Sequence, residues 1–268
     1  FFFTRCSVLL LLLMIVSLSN GFIFFKPPKV AGSSIECAIS SACNENDLMT
    51  GPDPDDIERE LVPDYYRSQN NTDPANGLDR FHTHTDPEMF FNLTGSTWDR
   101  YFIISCARNP WDLCVSYYWW VLEQLFYKNG KDPSKCVWQH SDSTGSDLPA
   151  LIFNNDKPET IHEKFKGFLL SDWIDNNDGS FENCIDFISG QSCKFIHDSV
   201  NYYIRFENLQ EDMDNLSKVL AKDFDKVPRF KSHQRDRTLH YRDFYSQETY
   251  NLVLKKFSKI ITNFRYTF

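Results

Sequence analysis

Positive charge is in short supply in this chain of 268 residues, where 28 Lys and Arg stand against 37 Asp and Glu and leave a net charge of −9. That deficit excludes a general nucleic-acid coat, and no nucleic-acid partner is expected, although a local basic groove remains compatible with it. Glycine (10) and proline (12) are sparse as well, which rules out a collagen-like repeat or a Pro/Gly-rich disordered tail. No internal period recurs, and no Gly- or Ser-rich linker splits the chain into halves, so one domain is the simplest organisation. The nucleotide-triphosphate pattern G-x-x-x-x-G-K-[ST] is missing where it would matter: Lys29 precedes Gly32 instead of following it, which disfavours a common kinase. What is plentiful is aromatic surface: 24 Phe, 12 Tyr and 6 Trp within a 41% apolar composition predict a folded chain with a Phe-rich core.

The N-terminal 19 residues read as a targeting segment. Arg5 precedes an apolar run over residues 8–16, followed by Ser17, Leu18 and Ser19, the layout of a secretory signal with cleavage after Ser19. The rival readings are an uncleaved signal anchor, giving a membrane attachment at the N-terminus, and a misjudged start, since the first residue is Phe1. The run is too short to cross a bilayer comfortably unless Phe1 to Phe3 are recruited. The domain reading is therefore a signal peptide or anchor over 1–19 and one folded domain over 20–268. Eight cysteines suit an oxidising lumen without proving one. Cys184 and Cys193 flank the turn-rich stretch 189–192 and are the expected disulfide, closing a loop worth at most about 3 kcal/mol. Cys106, in an apolar strand pattern, reads as a buried inert thiol. Sequons at Asn70, Asn92 and Asn215 would be glycosylated only along the secretory route, and the third falls in a helical pattern.

Phe22 to Phe25 form a short continuous apolar run ended by Lys26-Pro27-Pro28, the signature of a strand buried on both faces of a parallel sheet. A loop of small residues follows, then a helix over 35–42. Residues 44–79 are acidic, polar and Pro-punctuated, and read as a long surface excursion. The unit then repeats: an apolar strand over 101–107 runs into Arg108-Asn109-Pro110 and a helix from Trp111 to Phe126, with Pro110 suited to its first turn. Residues 128–158 are loop-like. A third strand over 202–206 leads to a helix over 209–221, and one final helix over 247–264 carries an apolar stripe of Leu252, Val253, Phe257, Ile260 and Ile261.

A small-residue loop between a buried strand and a helix gathers backbone N–H groups at the positive end of the helix, ready for phosphate or sulfate. Lys29-Val30-Ala31-Gly32-Ser33-Ser34 has that character, with Lys29 as an added cation, though a bland surface loop fits it as well. At the second strand end, Arg108 offers a two-pronged donor for a phosphate monoester, and Ser116 lies about two helical turns further on. Taken singly, Arg108 is equally a structural residue at a sheet edge.

Together these segments become specific. The stretch from Phe24 to Ser34 resembles the 5′-phosphosulfate loop of the Golgi-type carbohydrate sulfotransferases, and Cys106 to Tyr118 is similar to their 3′-phosphate motif. Residues 204–212 (IRFENLQED) resemble the same family, as do 241–245 (YRDFY) through 264–268 (FRYTF). The four segments occur in the family's order from Phe22 to Phe268. One departure is Cys106-Ala107, where the family shows a larger apolar residue before the Arg.

The resemblance implies an α/β fold, a P-loop-like three-layer domain with a central, mainly parallel sheet flanked by helices. It implies a donor, 3′-phosphoadenosine 5′-phosphosulfate, with adenosine 3′,5′-bisphosphate as product, a glycan acceptor and no metal. It assigns Lys29, Val30, Ala31, Gly32, Ser33 and Ser34 to the 5′-phosphosulfate, and Arg108 with Ser116 to the 3′-phosphate. Phe81-His82-Thr83-His84-Thr85-Asp86 resembles the His-x-His segment of the uronyl 2-O-sulfotransferase branch. That picks His84 as the base, with His82 orienting it or touching substrate, in a protein of the secretory pathway and the Golgi lumen. Asp86 or Glu88 is the base if a carboxylate serves instead, and a metal at His82, His84 and Asp86 lacks a fourth ligand. An atypical nucleotide-dependent phosphotransferase and a non-catalytic glycan-binding relative are the competing functional readings. Tyr117-Tyr118 and Trp119-Trp120 read as core rather than as a stacking platform for sugar or adenine, and the basic stretch 229–242, with Lys231, Arg235 and Arg237, reads equally as a nucleotide contact or a solvated loop.

Overall fold

The structure is a computed structural model that describes residues 14–44, 46–49, 85–95, 98–128, 181–229 and 240–268. The chain divides into two compact units, Phe1–Ala107 with His197–Phe230, and Arg108–Ile196 with Lys231–Phe268.

The first unit is mixed α/β around a five-stranded sheet. The apolar run that ends in Val16 does not stop short of the domain: β1 (Ile15–Ser17) turns back antiparallel onto β2 (Phe22–Phe24), with Ile15 opposite Phe24 and Ser17 opposite Phe22. Gly21, at φ +68, closes the turn by donating to the Ser17 carbonyl at 2.9 Å, a left-handed conformation that suits glycine. On its other side β1 pairs antiparallel with the two-residue β3 (Leu48–Met49). β2 pairs parallel with β4 (Phe102–Ala107), and β4 parallel with β5 (Tyr202–Arg205), giving the order β3-β1-β2-β4-β5. The expected parallel arrangement thus holds for three strands, while the antiparallel hairpin beside them comes from residues that read as a targeting segment. Every side chain of β2 is buried, which explains the unbroken Phe-Ile-Phe run.

The polar residue that secures the hairpin is Asp47, 2% exposed, whose carboxylate accepts from the Ser19 amide (2.9 Å), the Ser19 hydroxyl (2.8 Å) and the Asn44 amide (2.9 Å). Asn201 plays the matching part at β5: its side chain accepts from the Ile103 amide at 2.7 Å while its own amide donates to the Ile103 carbonyl at 2.8 Å. Among the described residues, three helices belong to this unit: α1 (Gly32–Ser40), buried along almost its whole length; α2 (Pro87–Thr94), started by Asp86 accepting from the Met89 amide and by Pro87; and a later helix that packs against β5. The Phe-rich composition builds an aromatic cluster in which Phe25 meets Phe90 edge-to-face at 5.4 Å and Phe90 meets Trp98 at a tilt, also at 5.4 Å.

In the second unit, α3 (Pro110–Lys128) packs against α4 (Phe181–Ser192). The later helix of the first unit is α5 (Leu209–Leu220), and the chain ends in α6 (Gln247–Lys256) and α7 (Ser258–Phe264), which return to the second. The single helix expected over 247–264 is broken at Phe257 (φ −105, ψ 19), yet Val253, Phe257 and Ile260 keep their predicted buried stripe. Tyr117, Tyr118 and Trp119 are buried, so the core reading of these aromatics stands, with Tyr117 stacked on Phe187 at 5.5 Å. The sequence reading missed α4. Its turn-like residues 189–192 are the last turn of that helix, and this overturns the expected disulfide. Cys184 and Cys193 are both free thiols, nine residues apart along a helical path. That spacing corresponds to roughly 13 Å of rise, about twice the Cα separation a disulfide tolerates.

Two outcomes follow from this packing. A chain starting at Asn20 loses Met14, Ile15 and Val16 from the core, all at most 2% exposed, at a cost of roughly 5 kcal/mol or more; urea denaturation should show a collapsed midpoint against the chain that retains residues 14–19. Cys193→Ser should leave the thermal midpoint of the oxidised protein within about 2 °C of the parent and insensitive to reductant, as expected for a thiol that closes no loop.

Candidate anion-binding site

The parallel register puts the C-terminal ends of β2 and β4 side by side, with Phe24 opposite Ile104 and the Phe25 amide donating to the Ile104 carbonyl at 2.8 Å. Ligand sites of open α/β sheets lie outside such strand ends. From the end of β2 the chain enters the loop that the sequence singled out. Two of its non-glycine residues sit in the left-handed region, Lys29 at φ 60 and Ala31 at φ 61. Each costs on the order of 1–3 kcal/mol, and strain of that kind collects at functional sites. Ala31 is the N-cap of α1 and supplies no side-chain cap, so the first turn of the helix directs its backbone N–H groups at the loop itself. Val30, Gly32 and Ser34 are buried, whereas Lys29, Ala31 and Ser33 are half-buried at the rim.

The sequence reading missed the cation beneath this loop. Lys26 is 5% exposed, and its Nζ lies 3.0 Å from the Ser33 hydroxyl and 3.4 Å from the Glu36 carboxylate, itself fully buried. The lysine stem runs directly over Gly32: a Cβ there would meet Lys26 Cγ at 2.3 Å, and Cδ and Cε at 2.8 Å. Glycine at position 32 is therefore a requirement of close approach. The Lys26 ammonium also bears on the end of β4, where burial pushes the Cys106 thiol well up and Lys26 pulls the other way. Cys106 is a buried thiol without nucleophilic character, as its strand pattern suggested.

In the second unit, Arg108 is buried at the start of α3 and held by Asp112: Nε donates at 2.8 Å and Nη2 at 2.7 Å to the same carboxylate oxygen. The i,i+4 spacing of this pair was visible in the sequence, though the reading gave Asp112 no part. Asn109 is a second omission. Its Oδ1 accepts from the Trp111 amide at 3.1 Å and its Nδ2 donates to the Thr267 carbonyl at 2.8 Å, tying the C-terminal residues to the turn that carries Arg108. Phe268 adds edge-on contacts to Trp111 (5.6 Å) and Tyr250 (5.0 Å), and its carbonyl accepts from Arg242 at 2.7 Å. Ser116 lies two turns along α3 and is half-buried.

His82 and His84 lie outside the described residues, as do Lys231, Arg235 and Arg237. Of the alternative carboxylates, Asp86 is engaged as the cap of α2, and Glu88 is exposed in its first turn. Among the described residues, no cluster of His, Cys, Asp and Glu is arranged to hold a metal ion, and no helix is long and apolar enough to cross a membrane. Comparison of the chain with protein-family models, with curated proteins and with solved structures returned no match.

Ala31→Gly relieves a left-handed alanine, so this change should leave stability unaltered or raise it by about 1 kcal/mol, where glycine elsewhere in a helix start costs a few tenths or more. A fall in the chemical-denaturation midpoint would show that the φ of Ala31 is not strained. Asn109→Ala should cost about 1–2 kcal/mol by the same measurement, since it removes a cap and releases the Thr267 carbonyl.

Proposed function

We propose that this protein is a sulfotransferase that moves a sulfuryl group from 3′-phosphoadenosine 5′-phosphosulfate to a carbohydrate hydroxyl, in a P-loop-like domain of the secretory pathway, in the Golgi lumen. The observation that carries this reading is the loop from β2 into α1. It is strained at Lys29 and Ala31, uncapped at the helix start, and backed by two lysines at the end of a parallel strand. These features suit a bound anion.

In this reading Lys29, Val30, Ala31, Gly32, Ser33 and Ser34 hold the 5′-phosphosulfate, and Arg108 and Ser116 take the 3′-phosphate. Asp112 orients the Arg108 guanidinium, its Oδ2 accepting from both Nε and Nη2. Transfer forms a bond from sulfur to the acceptor oxygen and breaks the bond from sulfur to the bridging phosphate oxygen, releasing adenosine 3′,5′-bisphosphate. The acceptor hydroxyl surrenders its proton to His84, whose imidazole in its neutral form carries a ring nitrogen able to take it, and His82 orients that ring or the sugar. Lys29 neutralises charge growing on the bridging oxygen, an interaction worth more in the transition state than in the ground state. Positioning and electrostatics suffice for such a group transfer, so the reaction asks for no metal from these residues.

Adenosine 3′,5′-bisphosphate should raise the thermal midpoint of the wild-type protein, and ATP with Mg²⁺ should not. Lys29→Ala should lower transfer of labelled sulfate to a glycan panel by about 100-fold or more, and His84→Ala should do so while leaving bisphosphate binding intact. Stabilisation by ATP with Mg²⁺ alone would point to phosphoryl transfer instead. Glycan binding without turnover on any acceptor would leave a non-catalytic binding protein.

A further inference from the structure

Lys26 occupies a place that elementary electrostatics disfavours. Its ammonium is buried against the N-terminal end of α1, the positive end of the helix, and one buried carboxylate, Glu36, stands opposite it at 3.4 Å. The chain has gone to some length to keep it there, since only a glycine at position 32 lets the lysine stem pass. An ion pair of this kind does not by itself favour folding, because the desolvation of two charges offsets their attraction. A role in the loop accounts for it better.

The geometry with Ser33 says which role. An ammonium has three donors and no acceptor, so in the 3.0 Å contact the Ser33 oxygen must accept from Lys26. The hydroxyl proton of Ser33 is then directed away from Lys26. A hydroxyl that accepts from a cation is also a stronger donor, because the two hydrogen bonds polarise one another.

We infer that Lys26 is a positioning residue: held by Glu36, it fixes the Ser33 hydroxyl as a donor to the anion in the loop and strengthens that donation, without touching the anion itself. The inference rests on the sulfotransferase reading, in that it takes the anion to be the 5′-phosphate end of the donor nucleotide. Gly32 is part of the same device, as the residue whose missing side chain makes room for the lysine stem.

The test is a double-mutant cycle read by calorimetric titration of the full chain with adenosine 3′,5′-bisphosphate. Lys26→Met and Ser33→Ala should each weaken binding by about tenfold or more. The double variant should bind no more weakly than Ser33→Ala alone, because Lys26 acts through that hydroxyl. Purely structural damage by Lys26→Met would instead multiply with the Ser33→Ala loss, and that result overturns the inference. If Lys26→Met does not fold, Glu36→Gln replaces it in the same cycle with the same expectation. Wild-type affinity retained in Lys26→Met also refutes the role of Lys26 while leaving the donor reading intact. A wild-type protein that takes up no bisphosphate removes both.

Discussion

A lysine buried at the positive end of a helix is held against two opposing forces, its own loss of hydration and the repulsion of the helix dipole. In this protein the Glu36 carboxylate and the Ser33 hydroxyl help to hold it, and the missing side chain of Gly32 makes room for its stem. Much of the first unit's local design follows from that placement. The loop must pass over the lysine and still deliver Gly32 to the helix start. The chain does this with left-handed turns at Lys29 and Ala31, neither of which is a glycine. The glycine is kept for the position where space, not backbone angle, is the limit.

The sheet supplies the rigid base for this arrangement. β2 lies between β1 and β4 and is fully buried, so the end from which Lys26 departs is fixed by pairing on both sides. The hairpin of β1 and β2 depends in turn on Asp47, a buried carboxylate whose three donors come from the hairpin turn and from the segment after α1. Two buried acids, Asp47 and Glu36, thus organise one unit of a chain that carries an excess of acidic residues. Their burial is tolerated because each is met by hydrogen-bond donors or a cation.

The second unit solves a related problem at Arg108. A guanidinium buried at a helix start also faces the positive end of a dipole, and Asp112, one turn along α3, answers it. The turn between strand and helix is then closed by Asn109, which reaches a carbonyl 158 residues further along the chain. The aromatic residues Trp111, Tyr245, Tyr250 and Phe268 pack around this closure, and the Tyr245 hydroxyl donates to the Trp111 carbonyl at 2.8 Å.

By itself the sequence determined the strands and helices whose residues are apolar at one clear period. The Phe-Ile-Phe run of β2, the strand over 102–107 with Pro110 opening the next helix, and α5 after β5 all fell within a few residues of their places. It also located the loop at Lys29 to Ser34 and the turn at Arg108, because each directly follows a strand whose unbroken apolar run is plain in the sequence. What only the tertiary structure decided were contacts between residues that no local period links. β1 has the same apolar character as a targeting segment, and only its pairing with β2 and β3 makes it a strand. Residues 189–192 favour turns in isolation, and packing against α3 and α6 keeps them helical. Lys26 looks like an ordinary strand-ending lysine until the fold brings Gly32, Ser33 and Glu36 around it, because burial, which sets the worth of a charge, is a property of the assembled chain alone.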